Sequence, residues 1–167
     1  MSRGFVKEDD QEEIPMVPPR ADLPEGVANY VTPAGMKELQ AEKQVLLDEK
    51  GSLDSSNENE RRVALNHINA KLRLLENRIT SARVVEPGDQ APGEIRFGAT
   101  VKLRNVVLDK VQTFQIVGVD EANFSRGKIA FTSPVARALI NKKAGERAIL
   151  KRGREELVFE VLEISYI

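Results

Sequence analysis

Residues 58–82 read ENERRVALNHINAKLRLLENRITSA and carry the clearest structural signal of the chain. Apolar residues recur in this stretch at alternating spacings of three and four, namely Leu65, Ile68, Leu72, Leu75, Ile79 and Ala82. A repeat of about 3.5 residues is typical of a coiled-coil seam. The other positions are strongly polar, so a single partner helix can bury all the apolar surface that this helix presents. The stretch therefore predicts one half of a helical hairpin.

The partner helix lies immediately upstream. Thr32 and Pro33 are typical of a helix start, because a threonine caps free N–H groups and a proline at the first position loses no hydrogen bond. The same spacing continues in Met36, Leu39, Leu46 and Leu53, with Lys43 and Lys50 at the intervening positions and Leu47 beside them. We expect this helix to run to about residue 54. The connection over 54–60 is short, so the two helices should form an antiparallel coiled-coil hairpin over residues 32–86.

Beyond residue 86 the periodicity changes from helical to alternating. Prolines and glycines mark a linker over 87–93. Short runs typical of half-buried strands follow at 95–97, 101–103, 113–117, 128–131 and 157–161. Ser133 and Pro134 predict the cap and first residue of one short helix. The fold class is therefore α+β, with an antiparallel sheet carrying one short helix over residues 94–167.

The amino-acid composition and the absence of common catalytic motifs exclude several classes of function. The chain has 167 residues, 41% of them hydrophobic, and contains no cysteine, which excludes disulfides, thiolate zinc sites and a thiol nucleophile. Its single histidine, His67, lies off the helical seam and is expected to be exposed. No nucleotide-binding glycine motif or serine-hydrolase motif is present. No apolar run is long enough to cross a membrane, and the acidic start is unlike a secretory signal.

Charge and proline content distinguish the two ends of the chain. Residues 1–31 contain four prolines and little periodic pattern, which predicts a poorly ordered N-terminal tail. Residues 94–167 carry thirteen basic and nine acidic residues, a net charge of +4. Such a balance favours an acidic partner surface or nucleic acid, although it also fits an ordinary solvated surface.

Three acidic residues, Asp54, Glu58 and Glu60, cluster at the predicted hairpin tip. Carboxylate oxygens are the ligands that Mg²⁺ prefers, but mobile acids on an exposed turn cannot complete its six-fold coordination alone. They could supplement a site that belongs mostly to another macromolecule. The structural alternative is a capping box, in which Ser55 and Glu58 begin the second helix.

Three blocks of the C-terminal part resemble a known family. They are RFGATV at 96–101, IVGVDEA at 116–122 and SPVARALI at 133–140, and together they resemble the C-terminal domain of the Gre transcript-cleavage factors of bacteria. The helix start TPAG at 32–35 and the hairpin exit SARVV at 81–85 are similar to theirs as well. The resemblance covers about residues 30–167.

This resemblance implies a coiled-coil hairpin joined to an FKBP-like domain, and a cytoplasmic accessory factor that is not itself an enzyme. The globular domain would bind RNA polymerase at the rim of its secondary channel, with Ser133, Pro134 and Arg137 matching the docking segment. The hairpin would enter the channel, where the tip acids share a Mg²⁺ ion with the polymerase, which then cleaves backtracked RNA. The chain would have no cofactor of its own. It would be a monomer that contacts nascent RNA and DNA indirectly and no membrane.

The tip departs from the family pattern, which leaves other functions open. The family carries an Asp-x-x-Glu pair, whereas Ser55 and Glu58 occupy these positions here. The hairpin is also shorter by about one heptad per helix, or roughly 10 Å of reach. One alternative is therefore a regulator or inhibitor that occupies the channel without stimulating cleavage. The others are a prolyl isomerase, which the lack of tryptophan disfavours, and an interaction module for an unrelated partner.

Overall fold

The computed structural model describes residues 15–54, 56–90 and 93–166. The elements of the N-terminal part are β1 (Asn29–Val31), α1 (Pro33–Gly51), α2 (Glu58–Ser81) and β2 (Ala82–Val84). The elements of the C-terminal part are β3 (Thr100–Asn105), β4 (Lys110–Val117), β5 (Lys128–Ala130), α3 (Pro134–Leu139), β6 (Arg147–Arg152) and β7 (Glu155–Ser165). This architecture confirms the α+β class, with a helical hairpin followed by a sheet domain.

The predicted apolar seam buries α1 and α2 against each other. Its core consists of Val31, Leu39, Leu46, Ile68, Leu72 and Leu75, with Met36, Leu53, Ile79 and Ala82 packed at its margins. Thr32 caps α1 as predicted, because its hydroxyl accepts a hydrogen bond from the Gly35 N–H at 2.9 Å. With 19 and 24 residues, the helices extend about 28 and 36 Å. His67 is half-buried rather than exposed.

The ends of the two helices differ from the prediction. The first helix ends at Gly51 rather than near residue 54, and the second ends at Ser81, before the predicted end of the hairpin at residue 86. The chain leaves α2 as an extended strand because β2 pairs in parallel with β1. Residues 29–31, placed by sequence in the disordered tail, are therefore an ordered strand with Asn29 and Val31 buried. The first fourteen residues of the predicted tail lie outside the described residues.

The sheet domain contains five strands in the order β5-β4-β3-β7-β6. Three of the four pairings are antiparallel as expected, but β4 and β5 run parallel. The antiparallel prediction is wrong for this pair because residues 118–127 carry the chain back alongside β4, so that β5 begins beside Gln115 and runs in the same direction. A 3₁₀ turn at Phe124–Arg126 completes this return.

Two strand assignments also differ. Residues 95–97 form no strand, although Ile95 is fully buried in the sheet-domain core. Strand β6 was not predicted, because the three apolar residues of RAILKR at 147–152 are consecutive and do not alternate with polar ones. In the structure Ala148 is buried and Leu150 packs against the core. The short helix α3 forms as predicted, with Ser133 as its cap and with Ala136 and Leu139 buried in the core. Within the described residues, no helix is long and apolar enough to cross a membrane.

Candidate functional site

The hairpin tip is an exposed turn between α1 and α2. Asn57 caps α2, because its side-chain oxygen accepts hydrogen bonds from the N–H groups of Asn59 at 3.0 Å and Glu60 at 3.2 Å. The predicted cap at Ser55 is therefore wrong, and Ser55 itself lies outside the described residues. Asn57 can accept these bonds because it directly precedes the first helical residue, whereas Ser55 is two residues too early.

All three tip acids are exposed and lie within seven residues of the chain. Asp54 accepts a hydrogen bond from the Ser56 N–H at 3.2 Å, which fixes part of the turn. Glu58 and Glu60 lie in the first turn of α2, where carboxylates favour the positive end of the helix dipole. The structure thus brings the three acids to one end of the hairpin.

These acids have the right donor chemistry for Mg²⁺ but do not form a site that holds it unaided. Among the residues that the structure describes, no group of three or more carboxylate or histidine side chains could hold a metal ion. Glu58 and Glu60 are two positions apart on a helix, so their side chains point in different directions. One ion can therefore take only one of these two glutamates, and most of its ligands would have to come from elsewhere.

The second candidate surface is the start of α3 in the sheet domain. The Ser133 hydroxyl accepts a hydrogen bond from the Ala136 N–H at 3.3 Å, and Pro134 occupies the first turn. Pro134 and Arg137 are exposed, whereas Ser133 is half-buried. Because Ala136 and Leu139 anchor the helix in the core, the three predicted docking residues are held together on one rigid turn. They belong to a different part of the molecule from the tip acids.

Sequence reasoning missed the residues that join the hairpin to the sheet domain. The buried carboxylate of Glu121 accepts a hydrogen bond from the Thr32 hydroxyl at 2.6 Å and lies 3.6 Å from the Lys128 ammonium. A Cβ added to Gly35 would lie 2.6 Å from the same carboxylate, so α1 begins in direct contact with the sheet domain. The sequence signal for this contact was the acidic pair within the IVGVDEA block. The pair was not interpreted, because it belongs to no periodic pattern.

Backbone and aromatic contacts reinforce this junction. A Cβ on Gly118 would lie 2.5 Å from the carbonyl oxygen of Tyr30, so only glycine permits this approach of the sheet domain to β1. The ring of Tyr30 packs on Phe97 and Phe131, with ring centroids 5.8 and 5.6 Å away. The base of the hairpin is therefore attached to the sheet domain through β1.

Residues 90–166 match the family model described as "Transcription elongation factor, GreA/GreB, C-term". A transcription elongation factor GreA from Baumannia cicadellinicola is 36% identical over 98 residues, which are 58% of this chain and 62% of that protein. A GreA from Ralstonia nicotianae is 40% identical over 101 residues, which are 60% of this chain and 64% of that protein. The chain thus matches less than two thirds of the length of these curated relatives.

Solved structures of similar proteins cover more of the chain at lower identity. The GreA factor homolog 1 (Gfh1) of Thermus thermophilus is 22% identical, covers 83% of this chain and 99% of its own, and superposes with a TM-score of 0.39. A GreA/GreB elongation factor from Nitrosomonas europaea is 19% identical, covers 82% and 98%, and has a TM-score of 0.41.

Proposed function

We propose, from the premise that residues 90–166 match the C-terminal domain model of the GreA/GreB transcription elongation factors, that the chain is an elongation factor of this family and binds bacterial RNA polymerase. The family match coincides with the sheet domain and includes Ser133, Pro134 and Arg137. In this proposal these residues dock the sheet domain at the rim of the polymerase secondary channel.

The observation that carries the proposal is the division of the molecule into two unlike parts. The hairpin helices bury their apolar seam against each other and leave the tip acids exposed at the end away from the sheet domain. The sheet domain has a separate core of its own. A molecule of this form can bind with one part and insert the other into a narrow channel.

We assign the tip acids to the active site of the polymerase. In this proposal Asp54, with Glu58 or Glu60, adds oxygen ligands to a Mg²⁺ ion that the polymerase holds by its own groups. When bound, such an ion activates water and stabilises charge during phosphodiester hydrolysis. The exposure of all three acids supports this assignment, because exposed carboxylates can reach a metal ion held by another molecule.

A second function is favoured by the form of the tip. The divergent directions of Glu58 and Glu60 leave fewer ligands for one ion, and Ser55 stands at the family's aspartate position. A factor with this tip could occupy the channel and regulate or inhibit the polymerase without stimulating cleavage.

A cleavage assay on backtracked elongation complexes separates the two functions. The wild-type chain is compared with a tip variant in which Asp54, Glu58 and Glu60 are replaced by alanine. A control variant replaces three exposed acids outside the tip, Glu25, Glu38 and Glu49. We expect the wild type and the control to stimulate RNA cleavage, and the tip variant to bind polymerase without stimulating it.

The other outcomes are equally decisive. A wild-type chain that binds polymerase but never stimulates cleavage supports the regulator. A wild-type chain that does not bind polymerase contradicts both functions. For the docking surface, Arg137→Ala should weaken binding roughly tenfold, the effect of losing about 1.4 kcal/mol. Lys151→Ala, at another exposed basic residue of the sheet domain, should leave the affinity unchanged.

A further inference from the structure

A segment N-terminal to β1 contacts both parts of the molecule through one side chain. The guanidinium of Arg20 donates from Nε to the Asp120 carboxylate at 2.9 Å. Its two terminal nitrogens donate to the two carboxylate oxygens of Glu42, at 3.1 and 3.0 Å. Asp120 belongs to the sheet domain and Glu42 to α1, so Arg20 connects the sheet domain to the hairpin.

Arg78 of α2 closes the cluster from the other side. It donates to the second carboxylate oxygen of Asp120 at 3.4 Å and to the backbone carbonyl of Ala21. The cluster therefore gathers four parts of the chain, which are residues 20–21, both hairpin helices and the sheet-domain loop. Its two arginines and two carboxylates balance in charge.

Three of the four side chains of this cluster are largely buried, so breaking it should cost more free energy than breaking a surface ion pair. The side chain of Asp120 is 5% exposed, and those of Arg78 and Arg20 are 15% and 20% exposed. Removing one of the two arginines leaves the buried Asp120 carboxylate only partly compensated, which costs more than losing a solvated pair. Arginine is also the side chain that suits the geometry, because its planar fork can bind two carboxylates at once.

The cluster contacts the hairpin at a distance from its base, and a contact there can restrict the direction of the hairpin. The contact of Glu121 with Thr32 attaches the start of α1 to the sheet domain. Glu42 lies ten residues further along this helix, about 15 Å along its axis. Contacts confined to the base leave a hairpin freer to pivot, whereas an attachment further along its length restricts its direction.

We propose that Arg20 is a positioning residue, and that residues 15–28 act as a strap that fixes the direction in which the hairpin projects from the sheet domain. The strap lies outside the stretch that matches the GreA/GreB family. A hairpin whose direction is already fixed loses less orientational entropy when it enters a channel, which should favour binding to polymerase. This consequence rests on the proposed function. The fixed direction itself is a property of the chain alone.

Distance measurements between spin labels test the strap without polymerase. The chain has no native cysteine, so labels can be attached to cysteines introduced for Lys50, near the end of α1, and for Lys102, on an exposed position of β3. We expect a narrow distance distribution in the otherwise wild-type chain. Arg20→Ala should broaden it at least about twofold, because domains without a large interface move relative to each other.

Three further variants make the measurement specific. Glu42→Ala keeps the contact between Arg20 and Asp120 but releases α1, and should broaden the distribution as well. Arg20→Lys keeps the charge without the fork and should restore only part of the order. Arg73→Ala, at an exposed position of α2, should leave the distribution narrow. Circular dichroism and thermal unfolding check that each variant folds.

Salt provides an independent readout of the same strap. At 1 M salt the screening length falls to about 3 Å, which weakens the partly exposed pair of Arg20 and Glu42. The wild-type distribution should therefore broaden with salt, whereas that of Arg20→Ala should change little. If folded Arg20→Ala and Glu42→Ala variants keep the wild-type distribution, the strap is refuted, whatever the polymerase assays show. If they broaden while the chain fails to bind polymerase, the strap stands and the proposed function fails.

Discussion

Tyr166 shows how one side chain closes the sheet domain. Its hydroxyl donates to the backbone carbonyl of Glu94 and accepts a hydrogen bond from the Arg96 N–H at 2.9 Å. These bonds join the residue after β7 to the chain that enters the domain. Burial raises the pKa of the Tyr166 hydroxyl above its ordinary value of 10.0, although the bond from Arg96 opposes this shift.

We expect Tyr166→Phe to lower the free energy of unfolding at pH 7 by about 1 kcal/mol, because both backbone partners lose a hydrogen bond. The effect should shrink in alkali. A raised pKa means that the folded state favours the neutral phenol, so its stabilisation is complete below pH 10 and is lost as the pH rises through the folded-state pKa. Urea unfolding of both proteins at pH 7 and at high pH measures this difference. A gap that grows with pH would contradict the assignment.

At the scale of elements, the hairpin depends on one continuous seam. Leu75 is fully buried, and Leu72 and Ile68 are 6% and 7% exposed. Other apolar side chains on these helices, such as Leu47 at 39% exposure and Val63 at 50%, lie off the seam. Packing of the hairpin is therefore sensitive to position rather than to total hydrophobicity.

Leu72→Asp should unfold the hairpin, because an unpaired buried carboxylate costs several kcal/mol. The sheet domain has its own core and should remain folded. Circular dichroism should report the loss of helix, while the variant should still bind polymerase more weakly through α3. The control Val63→Asp, on the same helix but half-exposed, should keep the hairpin. If binding disappears entirely in a variant whose sheet domain is folded, docking does not belong to the sheet domain.

At the scale of the whole molecule, two separate apolar cores stabilise the described chain. One follows the helical seam, and the other lies between the sheet and α3. The contacts between them include the buried acids and arginines of the junction and the packing of Tyr30 on the sheet domain. This arrangement predicts two cooperative units that are coupled at the base of the hairpin.

Ile116 is fully buried in the core of the sheet domain, so Ile116→Ala should cost about 2–5 kcal/mol. Native-state hydrogen exchange should show this loss in the amides of β3, β4 and β7. The amides in the middle of α1 and α2 should lose much less protection, because their core is separate. Equal losses in both parts would contradict the division into two units.

The local patterns of the sequence were sufficient for most elements. The seam residues predicted the hairpin, and Thr32 and Ser133 predicted the starts of α1 and α3, because periodicity and capping depend on residues a few positions apart. The same patterns placed the acids at the hairpin tip and Ser133 and Pro134 at the start of one short helix. They failed at β6, whose residues do not alternate, and at the parallel pairing of β5, which depends on the path of a loop.

Only the tertiary structure could reveal how the two parts are joined. Asn29 pairs with Ala82 in the small parallel sheet, and Arg20 meets Asp120 across one hundred positions of the chain. Such contacts leave no periodic trace, because a single arginine or carboxylate looks the same in a sequence whether it is solvated or paired. The amino-acid sequence by itself therefore determined which elements form and which side chains line their faces. How the hairpin joins the sheet domain depends on contacts between distant segments. There, a buried charge is stable only when an opposite charge is paired with it.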